Sequence, residues 1–348
     1  MTTRQAFSDL FNNTRVPETL TEAEKAELYT TIDAEAKKLL PKSLFRYRAC
    51  NENNLSAFEK DEIWFSTADC MNDGFDARAY ISKENKEKIL AQIENTFKAY
   101  NKEQLTELLK KELLPKVSPE TQYAISLLPG WFEQNKDDIP EMARGEILTK
   151  IISIPIVTQL TSRICCFSES IKSAAMWGLY GEDETGFCLE YDFSKLPHIS
   201  PKSYDCLLYP VVYSNQRLEM PYDYLNYLLW NTLLNRIGLS SAIGAEIKKY
   251  IPVLVCPDLM LATKIIMNKS ANWSYEKEWR LMLTNVDFKD NKHHSATKQA
   301  TAVYLGRRIS PINEKIICLL AKEKGLPVFK MQLDDTSPSY ELTYNRLQ

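Results

Sequence analysis

The sequence predicts an α+β fold, in which a mixed, mainly antiparallel sheet forms the core and large helical insertions separate its strands. Short strand-like runs alternate with long helical stretches. The alternation is too irregular for repeated βαβ units, and no internal repeat occurs. The 348 residues are 44% hydrophobic and 26% charged, which is typical of a globular chain with a sizeable core.

The first 43 residues are predicted to be a leader followed by a helix. Residues 1–18 are polar and contain Pro17, which indicates a loose leader. Thr21 precedes the run Glu-Ala-Glu-Lys-Ala-Glu-Leu-Tyr, whose early acidic residues favour a helix that continues to Pro41. Residues 44–348 are predicted to form a single α+β domain.

Alternating apolar and polar residues predict the strands of this domain. Residues 44–48 alternate so that Arg46 and Arg48 share one face of a half-buried strand. Helical insertions are predicted at about 82–160, where Lys- and Glu-rich faces recur, and at about 221–268. The other predicted elements are strands at 63–66, 163–167, 187–191, 211–213, 276–284, 301–305, 328–333 and 340–343, and a helix at 311–322.

Scarce glycine and histidine exclude several common chemistries. The chain has 10 glycines and 3 histidines, and it contains neither a Gly-x-Gly-x-x-Gly run nor a Walker-type loop. A His-x-x-x-His zinc helix is absent as well. Eight cysteines occur without a Cys-x-x-Cys pair, and no signal segment is evident, so we expect reduced thiols in a cytoplasmic protein.

Charge and hydropathy give no support for two classes of partner. The formal net charge is −3, so the basic excess typical of a nucleic-acid-binding protein is missing. No apolar run approaches the ~20 residues of a membrane span. We therefore expect a nucleotide or small-molecule ligand and no membrane.

Two groups of candidate residues lie near the first strands. Arg46 and Arg48 can clamp a diphosphate or carboxylates, or they form a solvated strand face. The loop after Ser66 carries Asn72, Asp73 and Asp76. These side chains can bind a metal or orient a ribose, or they simply make a turn.

Two further groups lie later in the chain. Trp177 and Tyr180 on a short helix can stack against a planar ring or belong to the core. In a strand, Glu276, Glu278 and Arg280 share one face, where the two acids repel each other. Either a catalytic need justifies that arrangement, or Arg280 makes the set a structural ion-pair ladder.

Several motifs occur in the order that marks one family. They are Arg-Tyr-Arg, Trp-Phe-Ser with Asn-Asp-Gly-Phe-Asp, Cys-Phe-Ser with Met-Trp-Gly-Leu-Tyr, Gly-Phe-Cys-Leu-Glu-Tyr, Lys-x-x-x-Trp-x-x-Glu-x-Glu-Trp-Arg and Tyr-Leu-Gly. From about Leu44 to its C-terminus the chain resembles the bacterial proteins grouped as domain of unknown function 2971. Gly74 departs from the proline more often found there. The resemblance implies kinship with a family whose activity is not settled.

The layout of these residues also resembles that of ADP-ribosyltransferases. The resemblance implies that arginine holds the diphosphate of NAD, serine braces the ribose, and glutamates stabilise the oxocarbenium-like transition state and prepare the acceptor. NAD would then be a co-substrate, and no metal is predicted. Carried over, the catalytic residues would be Glu278, Glu276 and Ser66, and the cofactor-binding residues Arg46, Arg48, Ser168, Trp177, Tyr180 and Arg280.

Two other functions stay open on the sequence alone. A metal-dependent hydrolase or nuclease would use Asp73, Asp76, Glu276 and Glu278 as oxygen ligands for Mg²⁺ or Mn²⁺. In a non-enzymatic binding or regulatory module of a defence or stress system, the acidic residues and arginines would form a buried ladder of ion pairs. The acceptor, protein or nucleic acid, is not specified by the sequence.

Overall fold

The computed structural model describes residues 3–99, 111, 114–123, 126, 139–196, 198–199, 205–236, 246, 255–284 and 294–348. Within these ranges the predicted α+β class is confirmed, because an eight-stranded, mainly antiparallel sheet lies at the centre of the molecule. Its strands are β1 (Leu44–Arg48), β3 (Ile164–Ser168), β4 (Phe187–Tyr191), β6 (Asp205–Pro210), β9 (Glu278–Thr284), β11 (Ala302–Leu305), β12 (Val328–Gln332) and β13 (Thr343–Arg346).

The order of strands across the large sheet is β13-β12-β11-β4-β1-β3-β9-β6. The β11–β12 pair is parallel, whereas the other neighbours are antiparallel. Two smaller sheets flank it, one of order β2-β10-β5 and one of β7 paired with β8. Their strands are β2 (Glu62–Phe65), β5 (His198–Ile199), β7 (Val212–Ser214), β8 (Asn268–Ser270) and β10 (His294–Thr297).

The described helices surround the sheets. They are α1 (Arg4–Asn13), α2 (Glu22–Leu39), α3 (Glu52–Glu59), α4 (Lys83–Ala99), α5 (Ile139–Thr161), α6 (Ala174–Tyr180), α7 (Tyr222–Arg236), α8 (Leu261–Met267) and α9 (Pro311–Glu323), with 3-10 turns at Ala68–Cys70, Leu114–Lys116 and Ala271–Glu276. Helix α2 begins with the capping box that Thr21 and Glu24 form. None of the helices within the described residues combines the length and apolar character needed to cross a membrane.

The expectation of a loose leader at residues 1–18 is wrong. Residues 4–13 form helix α1, which buries Phe7 and Phe11 completely. The two rings stack on each other, and Phe11 lies edge-on to Tyr209 of β6 at 5.7 Å between centroids. An apolar pair at i and i+4 is enough to dock a polar segment, because one helical face carries both rings.

The helical insertions pack on each other as a separate layer. Ile89 and Ile93 of α4, Ile151 of α5 and Leu225 and Leu229 of α7 form one buried cluster. The middle parts of both predicted insertions lie outside the described residues. Helix α5 of this layer also contacts the turn Ala68–Cys70, which follows β2.

The large sheet opens between β1 and β3, and this opening positions the site. All five residues of β1 pair with β4, whereas Phe45 and Ser168 are the one pair recorded between β1 and β3. At the other end of β3, Ile164 exchanges two backbone hydrogen bonds with Ser66. A gap therefore separates the rest of β1 from β3.

Candidate functional site

A cleft of about 220 Å³ occupies this gap. One wall is β1 from Phe45 to Arg48, and the other is β3 together with Glu276 and Glu278. The mouth is formed by the loop after β2, where Ser66, Cys70 and Asn72 are exposed, and by Tyr180 at the end of α6. The volume is below the roughly 300–1,000 Å³ of sites that enclose drug-sized ligands, so the cleft fits one end of a larger molecule.

A buried ion network forms the floor of the cleft, and Arg280 is its centre. Arg280 is completely buried, and its Nη1 and Nη2 donate to the two carboxylate oxygens of Asp76 at 2.7 and 2.6 Å. Its Nε donates to Glu278 Oε1 at 2.8 Å, and Nη1 also donates to the carbonyl of Ile266. The guanidinium is therefore saturated by the chain itself, which is how a buried charge is tolerated.

Lys269 is the second cation of the network. Its Nζ donates to Glu276 Oε2 at 2.5 Å and to Glu278 Oε2 at 2.9 Å, and it lies 3.6 Å from Asp76 Oδ2. Burial alone would lower the pKa of Lys269, but the three carboxylates, Glu278 first, raise it above its ordinary value. Three carboxylates thus share two cations, and one negative charge is in excess.

The two glutamates of the network titrate in opposite directions. Burial would raise the pKa of Glu278, but the charges of Arg280 and Lys269 outweigh it and hold that pKa well below its ordinary value. For Glu276, burial and the neighbouring Glu278 carboxylate raise the pKa, against the opposing effects of Lys269 and Tyr180. Glu278 is therefore held as an anion, and Glu276, whose pKa is raised, is the more easily protonated of the two glutamates.

The oxygens of Glu276 are held in place but not saturated by the described residues. Tyr180 donates its phenolic proton to Oε1 at 2.6 Å, and Lys269 binds Oε2. Ser168, which is buried, donates from Oγ to the backbone carbonyl of Glu276 at 2.6 Å. A carboxylate accepts about four hydrogen bonds, so Glu276 retains capacity for a ligand.

Both network segments contain a residue in the left-handed region. Lys277, between Glu276 and Glu278, has φ 46°, and Ala77, directly after Asp76, has φ 49°. The conformation costs a non-glycine residue roughly 1–2 kcal/mol. Because of the turn at Lys277, strand β9 begins at Glu278, and Glu276 ends a 3-10 turn instead of starting the strand, which corrects the predicted strand at 276–284. Strain of this kind often accompanies functional sites.

Arg46 and Arg48 line the cleft from a different face of the sheet. Phe45 pairs with Ser168, and Ser168 pairs with Glu278, so these three side chains share one face. Arg46 and Arg48 alternate with Phe45 and therefore point to the opposite face. The arginines and the glutamates can meet in one site because the sheet is open at this point.

Arg46 has an unused hydrogen-bond donor. The side chain is 8% exposed, its Nη2 donates to the carbonyl of Trp64 at 2.9 Å, and its guanidinium carbon lies 5.7 Å from the ring centroid of Phe167. Its buried Nη1 has no hydrogen-bond partner among the described residues. Buried charged donors are rarely left unpaired, so this nitrogen indicates a place for an anion.

Two other predicted residues have roles that the sequence did not specify. Ser66 is exposed at the mouth, and its backbone pairs with Ile164. Trp177 is completely buried, where its Nε1 donates to the carbonyl of Ile171 and its ring lies edge-on to Tyr47 at 5.1 Å. The structure places Trp177 in the core beside the cleft and not on its lining, so Tyr180 is the member of that pair that can contact a ligand.

The network residues do not fit the metal-dependent alternative. The oxygens of Asp76, Glu276 and Glu278 face Arg280 and Lys269, which already form salt bridges with them. Asp73 lies outside the network and accepts the backbone N–H of Phe75 in a turn at 2.9 Å. Across the described ranges, no group of three His, Cys, Asp or Glu side chains is arranged to hold a metal ion.

Sequence reasoning named Asp76 as a candidate ligand but did not link Asp76, Lys269 or Cys166 to the network of Arg280 and the glutamates. Lys269 was visible as the first residue of the Lys-x-x-x-Trp motif, seven positions before Glu276. Cys166 hydrogen-bonds Glu278, as expected for a neighbour on the strand that pairs with β9. Asp76 pairs with a residue 204 positions away, and no local signal predicts such a contact.

The comparisons with known proteins agree with the motif order. Neither a curated protein nor a solved structure shows significant similarity to the chain. A family model described as "Protein of unknown function (DUF2971)" matches residues 176–281. The matched segment includes Tyr180, Lys269, Glu276, Glu278 and Arg280, whereas Arg46 and Asp76 lie before it. Over this segment the chain is similar to the DUF2971 family, which is the resemblance that its motifs predict.

Proposed function

We propose that the protein is an enzyme that binds NAD in the cleft between β1 and β3 and breaks the bond between nicotinamide and ribose. One observation carries the proposal: Arg46, whose Nη1 has no partner among the described residues, and Glu276, whose carboxylate has a raised pKa, line the same cleft. A dinucleotide presents a diphosphate and a ribose that match these two groups. The ADP-ribosyltransferase layout inferred from the sequence supports the same chemistry.

Arg46 and Arg48 bind the diphosphate in this proposal. A guanidinium pairs with phosphate oxygens through two parallel N–H donors, and Arg46 has Nη1 free for that purpose. The cleft is too small for the whole dinucleotide, so it encloses the nicotinamide riboside end. Tyr180, partly exposed at the mouth, can lie against the nicotinamide ring.

Glu276, and not Glu278, contacts the ribose in this proposal. The Glu278 oxygens are occupied by Arg280 and Lys269, which makes Glu278 a positioning residue for the ammonium of Lys269. Glu276 has capacity for a ribose hydroxyl, and its negative charge stabilises the positive charge that develops at C1′. A carboxylate whose pKa is raised is also better suited to accept a proton.

The reaction balances without a further reagent. The C1′–N bond breaks, and its electron pair leaves with nicotinamide, whose ring loses its positive charge. An acceptor hydroxyl or water forms the new bond to C1′, and its proton passes to the Glu276 carboxylate. Arginine and carboxylate chemistry of this type needs neither histidine nor a glycine-rich loop.

Nicotinamide release from NAD tests the proposal. We expect wild-type protein to release nicotinamide, and the Glu276→Gln variant to be slower by about 10²–10³-fold, because a group that stabilises charge in the transition state is lost. Glu314→Gln is the matched control, since that residue pairs with Lys330 on the protein surface. Absence of release from wild type, or equal rates in wild type and Glu276→Gln, contradicts the proposal.

A second candidate function is favoured by the buried network itself. A non-enzymatic module would use Asp76, Arg280 and Glu278 as a structural ladder beneath a ligand-binding cleft. In that case wild-type protein binds NAD, and the Arg46→Met variant binds it more weakly, but nicotinamide is never released. Binding and release measured on the same samples separate the two functions.

A further inference from the structure

A second pocket shares one lining residue, Lys269, with the cleft. It has a volume of about 170 Å³. The loop that closes the cleft reaches both places: Asn72 lines the cleft, Asp76 binds Arg280, and Phe75 and Arg78 line the second pocket. The left-handed Ala77 separates the buried Asp76 from the exposed Arg78.

Two neighbouring arginines give this pocket its charge. Arg217 donates from Nη2 to the backbone carbonyls of Arg78 and Ala79 at 3.0 and 2.8 Å, which fixes its position beside Arg78. Partial burial and the positive charge of Arg78 lower the pKa of Arg217. Neither arginine forms a salt bridge with a carboxylate in the part of the chain that the structure describes. Asp73 is close enough to raise the pKa of Arg217 slightly, but it forms no salt bridge with it. Paired guanidiniums without a salt-bridge partner are typical of a phosphate site.

An exposed aromatic ring stands next to the arginines. Phe75 is 65% exposed, and the guanidinium of Arg217 lies between the rings of Phe75 and Tyr80, at 5.2 Å from each centroid. This contact orients the Phe75 ring while most of its surface remains in solvent. A nucleic-acid base can stack on such a ring, and exposed Asn215 and Gln216 at the rim supply amide groups for base edges.

We propose that this pocket, which we call the Phe75–Arg78 pocket, binds a nucleoside phosphate, with the base on Phe75 and the phosphate on Arg78 and Arg217. Two sources share this chemistry: a free nucleotide and a nucleotide unit of a single strand of nucleic acid. The pocket goes beyond the proposed function, because its residues other than Lys269 do not line the cleft.

Fluorescence anisotropy with two labelled probes tests the proposal, one being adenosine monophosphate and the other a short single-stranded oligonucleotide. We expect saturable binding of at least one probe by the wild-type protein. Phe75→Ala should weaken that binding about tenfold through loss of stacking. Arg78→Gln should weaken it about fivefold or more. For the oligonucleotide, this variant should also reduce the dependence of log Kd on log salt by about 0.7.

Matched controls locate the binding. Tyr340→Ala removes a fully exposed aromatic ring elsewhere, and Arg308→Gln removes an exposed guanidinium elsewhere, so both should bind like wild type. Arg46→Met, which alters the cleft, should also leave probe binding unchanged. Equal binding of both probes identifies a free nucleotide as sufficient, and binding of the oligonucleotide alone identifies nucleic acid.

Three outcomes overturn the proposal: neither probe binds, Phe75→Ala and Arg78→Gln bind like wild type, or Arg46→Met abolishes binding. The last outcome would assign the probe to the cleft. Nicotinamide release is measured on the same variants. Its absence in wild type contradicts the proposed function alone, so failure of the pocket and failure of the cleft are distinguishable.

Discussion

Arg280 and Asp76 form a bidentate pair that connects strand β9 of the large sheet to the loop after β2. The two hydrogen bonds are 2.7 and 2.6 Å long, and both side chains are at most 1% exposed. The same loop carries Asn72 to the cleft and Arg78 to the second pocket. The position of both sites therefore depends on one buried ion pair.

Asp76→Asn is expected to destabilise the protein by about 3–5 kcal/mol, because it leaves the buried Arg280 without its main counter-charge. The free energy of unfolding, measured in urea, checks this value. Asp73→Asn is the control in the same loop, since an asparagine oxygen can still accept the N–H of Phe75. We expect the control to change stability by about 0.5 kcal/mol or less. Equal effects of the two substitutions would contradict a structural role for the pair.

Glu276 and Glu278 predict opposite dependences of stability on pH. The pKa of Glu276 is raised from its ordinary value of 4.5, so above that pH the folded protein keeps a proton that the unfolded chain has lost. Its contribution to the free energy of unfolding therefore decreases as pH rises through the folded pKa. The pKa of Glu278 is lowered, so its contribution is present above 4.5 and is lost as pH falls.

Urea unfolding of Glu276→Gln and Glu278→Gln between about pH 5 and pH 8 tests this assignment. We expect Glu276→Gln to gain stability relative to wild type as pH rises and to be at least as stable at the alkaline end. Glu278→Gln should be less stable than wild type by about 3–5 kcal/mol near neutral pH, because it deprives Arg280 and Lys269 of a counter-charge. A parallel pH profile for Glu276→Gln and wild type would show that Glu276 has an ordinary pKa.

Local periodicity predicted much of the sheet. Strands β1, β3, β4 and β11 and helix α9 lie close to their predicted positions, since alternation and helix signals depend on neighbouring residues. Helix α1 was missed because two phenylalanines in a polar stretch form a weak pattern. Strand β6 was missed as well, because Leu207 and Leu208 interrupt its alternation.

The sequence predicted several residues of the site but not the contacts that connect them. The sequence could propose Glu276, Glu278 and Arg280 as a set because they are near one another in the chain. It could not predict that Asp76 completes the pair with Arg280, nor that Lys277 adopts a left-handed conformation that removes Glu276 from the strand. Trp177 shows the same limit, because burial of an aromatic ring is decided by packing against Tyr47.

Arg46→Met is expected to separate ligand binding from stability. The substitution replaces a buried guanidinium that has an unpartnered nitrogen, so the melting temperature without ligand should stay equal or increase. The increase in melting temperature that NAD causes in wild type should disappear, because the phosphate loses its partner. Arg308→Met, at an exposed position, should keep the full NAD effect. An undiminished NAD effect in Arg46→Met would remove this residue from the site.

Gly186→Ala tests the wall of the cleft at Arg48. A Cβ at residue 186 would lie 2.2 Å from the carbonyl oxygen of Arg48 and 2.9 Å from that of Gly181, and both atoms belong to the backbone. Relief of this clash requires a shift of β1 or β4, so we expect the free energy of unfolding to fall by about 1–3 kcal/mol and NAD binding to weaken.

Gly178→Ala is the matched control in helix α6, where nothing lies within 4 Å of the new Cβ. It should raise stability by about 0.5–1 kcal/mol, because alanine favours a helix interior. Urea midpoints, converted at unchanged m-values, give the change in the free energy of unfolding for both variants. If Gly186→Ala left this free energy unchanged, the contact would not fix the position of β1.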